Sequence, residues 1–155
     1  MDTLPLPFDI NQRVKQRRDA NIQVFNNERQ MLEMFINKLH LVDPDMLVAH
    51  NLCGNVIEVL LARIQMLRIN HWSRIGRLKR SQMPNRKADG SIASWIPRQV
   101  SCGRLLVDTF LNSKELIRET NYDLGHLCKT QLKKERKDFD EDLLPRLYQS
   151  SDSLL

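Results

Sequence analysis

The sequence predicts an α/β fold, and three observations carry that expectation. Met46–Ala49 is a short apolar run with the length and composition of a buried strand. A polar turn containing Gly54 follows it, and then a helix-forming stretch with an apolar face. A second strand is expected over Val100–Asp108, with Leu105, Leu106 and Val107 as its apolar part. Helix and strand thus alternate along the chain, the pattern of an α/β domain.

Residues 1–11 are punctuated by proline and read as extended. Residues 12–19 are strongly charged and read as a short helix or a surface loop. Ile22 and Val24 alternate as on an edge strand over 22–25. Asn26 or Asn27 caps a helix that carries Met31, Leu32, Phe35, Ile36 and Leu39 at the spacing of a buried stripe. Asp43-Pro44-Asp45 is a turn, because proline fixes φ and removes a donor. Beyond the first strand, Asn55 is the expected N-cap of a helix with Val56, Ile57, Val59, Leu60, Leu61, Ile64 and Leu67. Residues 83–97, with Pro84, Gly90 and Pro97, are the expected flexible loop. Residues 122–133 form a helix with Leu124, Leu127, Cys128 and Leu132 facing inward. Residues 133–142 are a solvated connection of mixed charge, and 143–148 begin a last short helix. The chain divides into an extended N-terminal segment (1–25), a helix–strand–helix unit (26–67), a basic connection (68–99), and a strand with C-terminal helices (100–155).

A chain of 155 residues suffices for one domain with a core. It has no apolar run of about 18 residues, so no membrane span is expected. Residues 1–10 lack the cationic and apolar regions of a secretory signal. Cys53, Cys102 and Cys128 are widely spaced, which argues against a disulfide framework and a zinc site and for reduced, intracellular thiols. His40, His50, His71 and His126 have no i, i+4 pairing with another ligand type and read as structural.

The net charge of +5 is unevenly placed. Between Arg68 and Arg104 there are nine basic residues and one acid, Asp89, whereas the remainder carries fifteen basic and eighteen acidic residues. Such a local field favours a polyanion, usually one with phosphates. Arg74, Arg77, Lys79 and Arg80 are the candidate nucleic-acid contacts. Trp72 and Trp95, at the two ends, offer either stacking faces for bases or anchors for the loop. The alternative is a solvated basic loop.

The stretch Leu41–Leu61, LVDPDMLVAHNLCGNVIEVLL, is where family resemblance enters. It resembles the second exonuclease motif of the B-family replicative DNA polymerases, which reads Asn-x-x-x-Phe-Asp in proofreading members. Asn51 matches the motif's Asn, Asn55 stands at the Phe position and Val56 at that of the metal-binding Asp. Valine cannot ligate a metal, and alpha-type members characteristically lack proofreading, so the resemblance is closest to them. His71–Pro84 (HWSRIGRLKRSQMP), Ser101–Arg118 (SCGRLLVDTFLNSKELIR), residues 121–136 and residues 148–151 are similar to further segments of that type, and 5–24 and the helix from Glu28 more loosely so.

The resemblance implies part of a ribonuclease-H-like 3′–5′ exonuclease domain with a basic insertion loop. The two other carboxylate-bearing elements of that fold would precede Met1 and follow Leu155. It implies a parent DNA-directed DNA polymerase, a nucleotidyltransferase that extends RNA–DNA primers in the nucleus, with Mg²⁺ in a polymerase site elsewhere and primase and other replication subunits as partners. No catalytic residue and no metal or cofactor is expected in this segment, and self-association of the segment is. The alternatives are an active 3′–5′ exonuclease domain and a stand-alone nucleic-acid-binding module.

Other polar groups read as structural. Asp43 and Asp45 flank a proline at the end of the strand opposite the motif. Glu58 lies roughly 200° around the helix from Val56, so it is no replacement for the missing Asp. Asp108 ends a strand, but the family uses no metal ligand at that position. Cys53 has no histidine–acid arrangement to activate it, because His50 points to the other strand face. The five glycines are scattered and make no phosphate loop.

Overall fold

The computed structural model describes residues 7–17, 21–84, 95–136 and 141–148. Among them, seven α-helices and two strands alternate as a mixed α/β arrangement with a small parallel sheet. Helix α1 (Ile10–Gln16) begins earlier than the extended reading of 1–11 allowed. The Ile10 amide donates to Pro7 O at 3.1 Å, so the proline turn starts the helix, and Arg13 pairs with Asp9 at 2.8 Å. Residues 22–25 form no strand: the sheet among the described residues consists of β1 and β2 alone, and this segment pairs with neither.

Helix α2 (Glu28–Val42) is capped by Asn27, whose side chain accepts the Gln30 amide at 2.8 Å. It ends at Asp43, a left-handed residue with φ 47° whose amide closes on Leu39 O. Leu32 and Ile36 are buried and Leu39 packs beside them, but Met31 and Phe35 stay nearly half exposed. Among the described residues one side of the expected stripe is covered, chiefly by the 3₁₀ turn Trp72–Ile75. Across to the next helix, Arg63 forms a two-pronged ion pair with Glu28.

Strand β1 (Met46–Ala49) lies where expected, and β2 occupies Leu105–Asp108. They are parallel, with Met46 opposite Leu105 and Ala49 opposite Asp108. Parallel neighbours need a crossover. Here it comprises a π turn (Leu52–Val56), helix α3 (Ile57–Met66), the 3₁₀ turn and helix α4 (Trp95–Val100). Asn55 is not the N-cap of α3. It lies inside the π turn, where the Asn55 and Val56 amides both donate to Asn51 O, and Asn51 itself adopts φ 55°. The expected strand over 100–108 is shorter for a similar reason. Val100 ends α4, and the chain reverses through Ser101 and Gly103 before β2 begins.

Helix α5 (Thr109–Leu116) continues directly from β2. Helix α6 (Leu124–Gln131) buries Leu127, while Leu132 remains 64% exposed because the helix ends before it. A 3₁₀ turn (Glu141–Leu143) and helix α7 (Leu144–Leu147) follow. The core joins Leu32 and Ile36 of α2 with Ile57, Leu61 and Ile64 of α3, and with Ile69, Trp72, Ile75 and Val100. Ala49 and Leu106 pack onto it from one sheet face. Most of the expected loop at 83–97 lies outside the described residues, as do the side chain of Trp95 and residues 149–151.

Candidate nucleic-acid interface and the strand end

Two places in the fold carry polar chemistry. The first is the carboxyl end of the sheet, where β1 enters the π turn and β2 enters α5. Asp108 is buried there, and both its oxygens are used. Oδ2 accepts the Cys53 amide at 2.9 Å and Oδ1 the Phe110 amide at 3.0 Å, so one carboxylate ties the π turn to β2 and caps α5. His50 Nδ1 lies 3.1 Å from Thr109 Oγ1, and its ring meets Phe110 edge-on at 5.5 Å. Burial, followed by the Asp108 charge, pushes the Cys53 thiol up from its ordinary value, opposite to what a nucleophilic thiolate requires.

A two-metal hydrolytic centre needs several free carboxylates around both ions. Val56, 44% exposed at the close of the π turn, has no donor atom to offer. Asp108 has its oxygens directed at main-chain amides. The residues at this strand end therefore do not fit such a centre.

The second place is a cleft of about 550 Å³ that brings all four sequence-predicted cations, Arg74, Arg77, Lys79 and Arg80, to one site. Arg104 lines it as well, and Asp43 is the one acid among its lining residues. The 3₁₀ turn carries Arg74 and is anchored by the buried Trp72 and Ile75, and the other three cations follow it in the chain. Trp72 is thus an anchor and presents no stacking face.

Beyond that turn, Gly76 rests on the backbone of the α4–β2 connection. A Cβ there would meet Val100 O at 2.6 Å and Cys102 O at 2.9 Å. The next amide, that of Arg77, donates to Cys102 O at 2.8 Å. The basic segment is pinned to the body at this point.

Arg77 is the most heavily engaged of the four cations. It donates to the Asp43 carboxylate at 2.9 Å, to Asp45 at 2.6 Å, to Asp43 O and to Gly103 O. Arg104 closes the same clasp from within. Its side chain is fully buried and donates to Ile75 O at 3.0 Å and to Pro44 O, and it lies 2.9 Å from Asp43 Oδ1. Its Nη2 has no partner among the described residues. Hydrogen bonding by Arg77, with smaller help from the charges of both arginines, holds the Asp43 carboxyl below its ordinary value. The other three cations are less committed. Arg74 donates to Asn37 Oδ1 at 2.8 Å and Arg80 to the Cys102 sulfur at 3.3 Å, both neutral acceptors, while Lys79 is exposed.

Comparison with known proteins decides the family. Residues 7–127 match the model of the DNA polymerase family B exonuclease domain. The chain belongs to the B-family DNA polymerases. It is 61% identical over 159 residues to the DNA polymerase alpha catalytic subunit of Oxytricha trifallax, covering 99% of this chain and 10% of that protein. It is 40% identical over 149 residues to the Xenopus laevis subunit of the same name, and 36% identical over 149 residues to that of Mus musculus, covering in each case 96% of this chain and 10% of the relative. This B-family segment therefore spans about a tenth of the length of those relatives.

Within the B-family segment, sequence reasoning found the cations of the cleft and missed what holds them. Asp43 read as turn chemistry, yet it is both the helix cap and the centre of the clasp. Arg104 was visible as the last of the nine basic residues and within the Ser101–Arg118 stretch that resembles the family, with no sign that it would be buried. The signal that would have found it is an arginine placed immediately before an apolar strand.

Proposed function

We propose that this chain is part of an alpha-type DNA-directed DNA polymerase that extends RNA–DNA primers at replication initiation in the nucleus. Within it the segment is a degenerate proofreading scaffold, folded as part of a ribonuclease-H-like domain and without catalysis of its own. The single observation that supports this is the strand end: Val56 stands where proofreading relatives place a metal-binding Asp, and the nearby Asp108 carboxylate is committed to two amides. The polymerase carboxylates and their Mg²⁺ belong elsewhere in the parent protein, as do its contacts with primase and other replication subunits. Labelled single-stranded DNA incubated with the chain and Mg²⁺ or Mn²⁺ should show no metal-dependent shortening. Processive digestion by clean protein would restore the active-exonuclease reading. Val56→Asp alone should not confer activity, because one carboxylate does not hold two ions.

The same proposal includes a weak, sequence-independent contact with nucleic acid through the Arg74, Arg77, Lys79 and Arg80 segment. What supports it is the gathering of these cations in one cleft. A stand-alone nucleic-acid-binding module would use the same cleft, and the parental reading frame discriminates the two. Affinity for DNA should fall steeply with salt as counterions are released.

A further inference from the structure

The clasp divides the cleft's cations into two sets with different work. Arg77 and Arg104 direct their donors mainly at Asp43, Asp45 and four main-chain carbonyls, which leaves them as framework. Among the described residues, Arg74 and Arg80 meet neutral acceptors and Lys79 is exposed, so their charges remain available. We propose that the cleft is a binding site for phosphate oxyanions, contacted by Arg74, Lys79 and Arg80, and blind to base identity. This deepens the nucleic-acid contact proposed above and rests on it for the identity of the larger ligand.

Charge, donors and shape agree on that ligand class. Five cations line the cleft against one acid, and Asp43 is already neutralised by two arginines. Arg104 adds a buried guanidinium whose Nη2 lacks a partner among the described residues. Its charge sits in a poorly solvated wall and acts on the cleft through space, where screening by water is weak. Ser73 and Asn70 add neutral donors of the kind that orient phosphate oxygens. Among the described residues the rings lining the cleft are the imidazoles of His40 and His71, with no Phe, Tyr, Trp or aliphatic side chain beside them, and Trp72 is buried beneath it. A base would therefore find no large aromatic face, whereas a phosphate would find several charged donors. The volume of about 550 Å³ accommodates a short stretch of backbone or a free diphosphate. These two share the recognised chemistry, and experiment separates them.

The test uses the 155-residue chain and two probes: a 12-nucleotide abasic single strand beside a normal strand of equal length, and inorganic pyrophosphate. The variants are Arg74→Gln/Lys79→Gln/Arg80→Gln and a charge-matched control, Arg118→Gln/Lys129→Gln/Lys134→Gln, at exposed positions outside the cleft. Neither variant removes a clasp residue, and circular dichroism checks that both fold. The cleft variant should bind the strands at least about 10-fold more weakly than the control variant. The slope of log affinity against log salt should fall by about 2, since each single-strand phosphate contact contributes about 0.7. Abasic and normal strands should bind within about 2-fold of each other. Pyrophosphate should shift the amide resonances of residues 70–80 in the parent chain and not in the cleft variant.

Equal strand binding by the two variants, without a pyrophosphate response, would overturn the cleft site and leave nucleic-acid contact elsewhere intact. Pyrophosphate binding lost in the cleft variant, with no strand binding at all, would support the oxyanion site and overturn the nucleic-acid reading. A normal strand bound much more tightly than the abasic one would overturn the claim of base blindness. Absence of binding by either probe would overturn the site and the contact together.

Discussion

Asp108 holds Cys53 across 55 residues of chain, its Oδ2 accepting the Cys53 amide at 2.9 Å. The same carboxylate caps α5 through the Phe110 amide, so the π turn after β1 and the helix after β2 share one buried acceptor. Losing an N-cap costs about 0.5–2 kcal/mol, and stranding a buried amide about 1–3 kcal/mol. Asp108→Ala is therefore expected to lower stability by about 2–4 kcal/mol in urea unfolding. Asp108→Asn keeps a capping oxygen but loses one of the two acceptors, and should cost less. Equal losses for the two variants would show that the link to Cys53 contributes little beyond the cap.

Two glycines fix how the basic segment meets the sheet. Gly76 rests directly on the carbonyls of Val100 and Cys102, and Gly103 has φ 87° with the Arg77 Cβ only 2.8 Å from where its own Cβ would stand. Gly76→Ala must push backbone from backbone, an overpacking cost of about 1–3 kcal/mol. Gly103→Ala adds a left-handed alanine, about 1–2 kcal/mol, to its contact with Arg77. Thermal melts should show both variants destabilised. An unchanged melting temperature for Gly76→Ala would mean that the basic segment lifts away freely.

The carboxylates of the two main ion-paired clusters give stability a definite pH dependence. Asp43 is lowered from about 3.8, first by its hydrogen bond from Arg77. Glu28 is lowered from about 4.5, first by its hydrogen bond from Arg63. A depressed carboxylate contributes stability that is present above its unfolded value and is lost as pH falls through its folded value. The melting temperature should thus hold through neutral pH and begin to drop below about pH 4.5, continuing below about pH 3.8. Asp43→Asn/Glu28→Gln should melt lower at pH 7 and show a flatter acid limb. An acid limb identical to that of the parent chain would assign acid sensitivity to other groups.

The features readable in the sequence were those set by short-range patterns. Met46–Ala49 is a strand because four apolar residues sit between a proline turn and a polar turn, and the structure places it at those residues. Asn27, one of the two caps named, caps α2 through the bond expected of an asparagine. Elements that depend on distant partners were not readable. Ile22 and Val24 alternate as a strand would, but strand pairing is a tertiary event, and no partner edge reaches them. Asn55 has cap chemistry, yet Asn51 in a left-handed conformation starts an earlier π turn that absorbs it. The cleft follows the same division. Its cations are contiguous in sequence and were found, whereas Asp43 and Arg104 come together from positions 61 residues apart and were not.

The sheet exposes an apolar face that should govern how the isolated chain behaves in solution. Side chains alternate along a strand. Met46 and Val48 of β1 share one face with Leu105 of β2, which is Met46's register partner. The three are 48%, 56% and 57% exposed, whereas Ala49 and Leu106 on the other face pack against the core. Among the described residues β1 pairs only with β2, so its far edge is open too. An apolar face beside an open strand edge invites pairing with another chain. The chain is therefore expected to self-associate, with hydrogen exchange slowed over residues 46–49 as its concentration rises. Val48→Lys places a charge in the centre of that face and should shift light scattering toward monomer without changing the melting temperature by more than a few degrees. A parent chain that stays monomeric at high concentration, with amides 46–49 exchanging fast, would show that the face is simply left open to water.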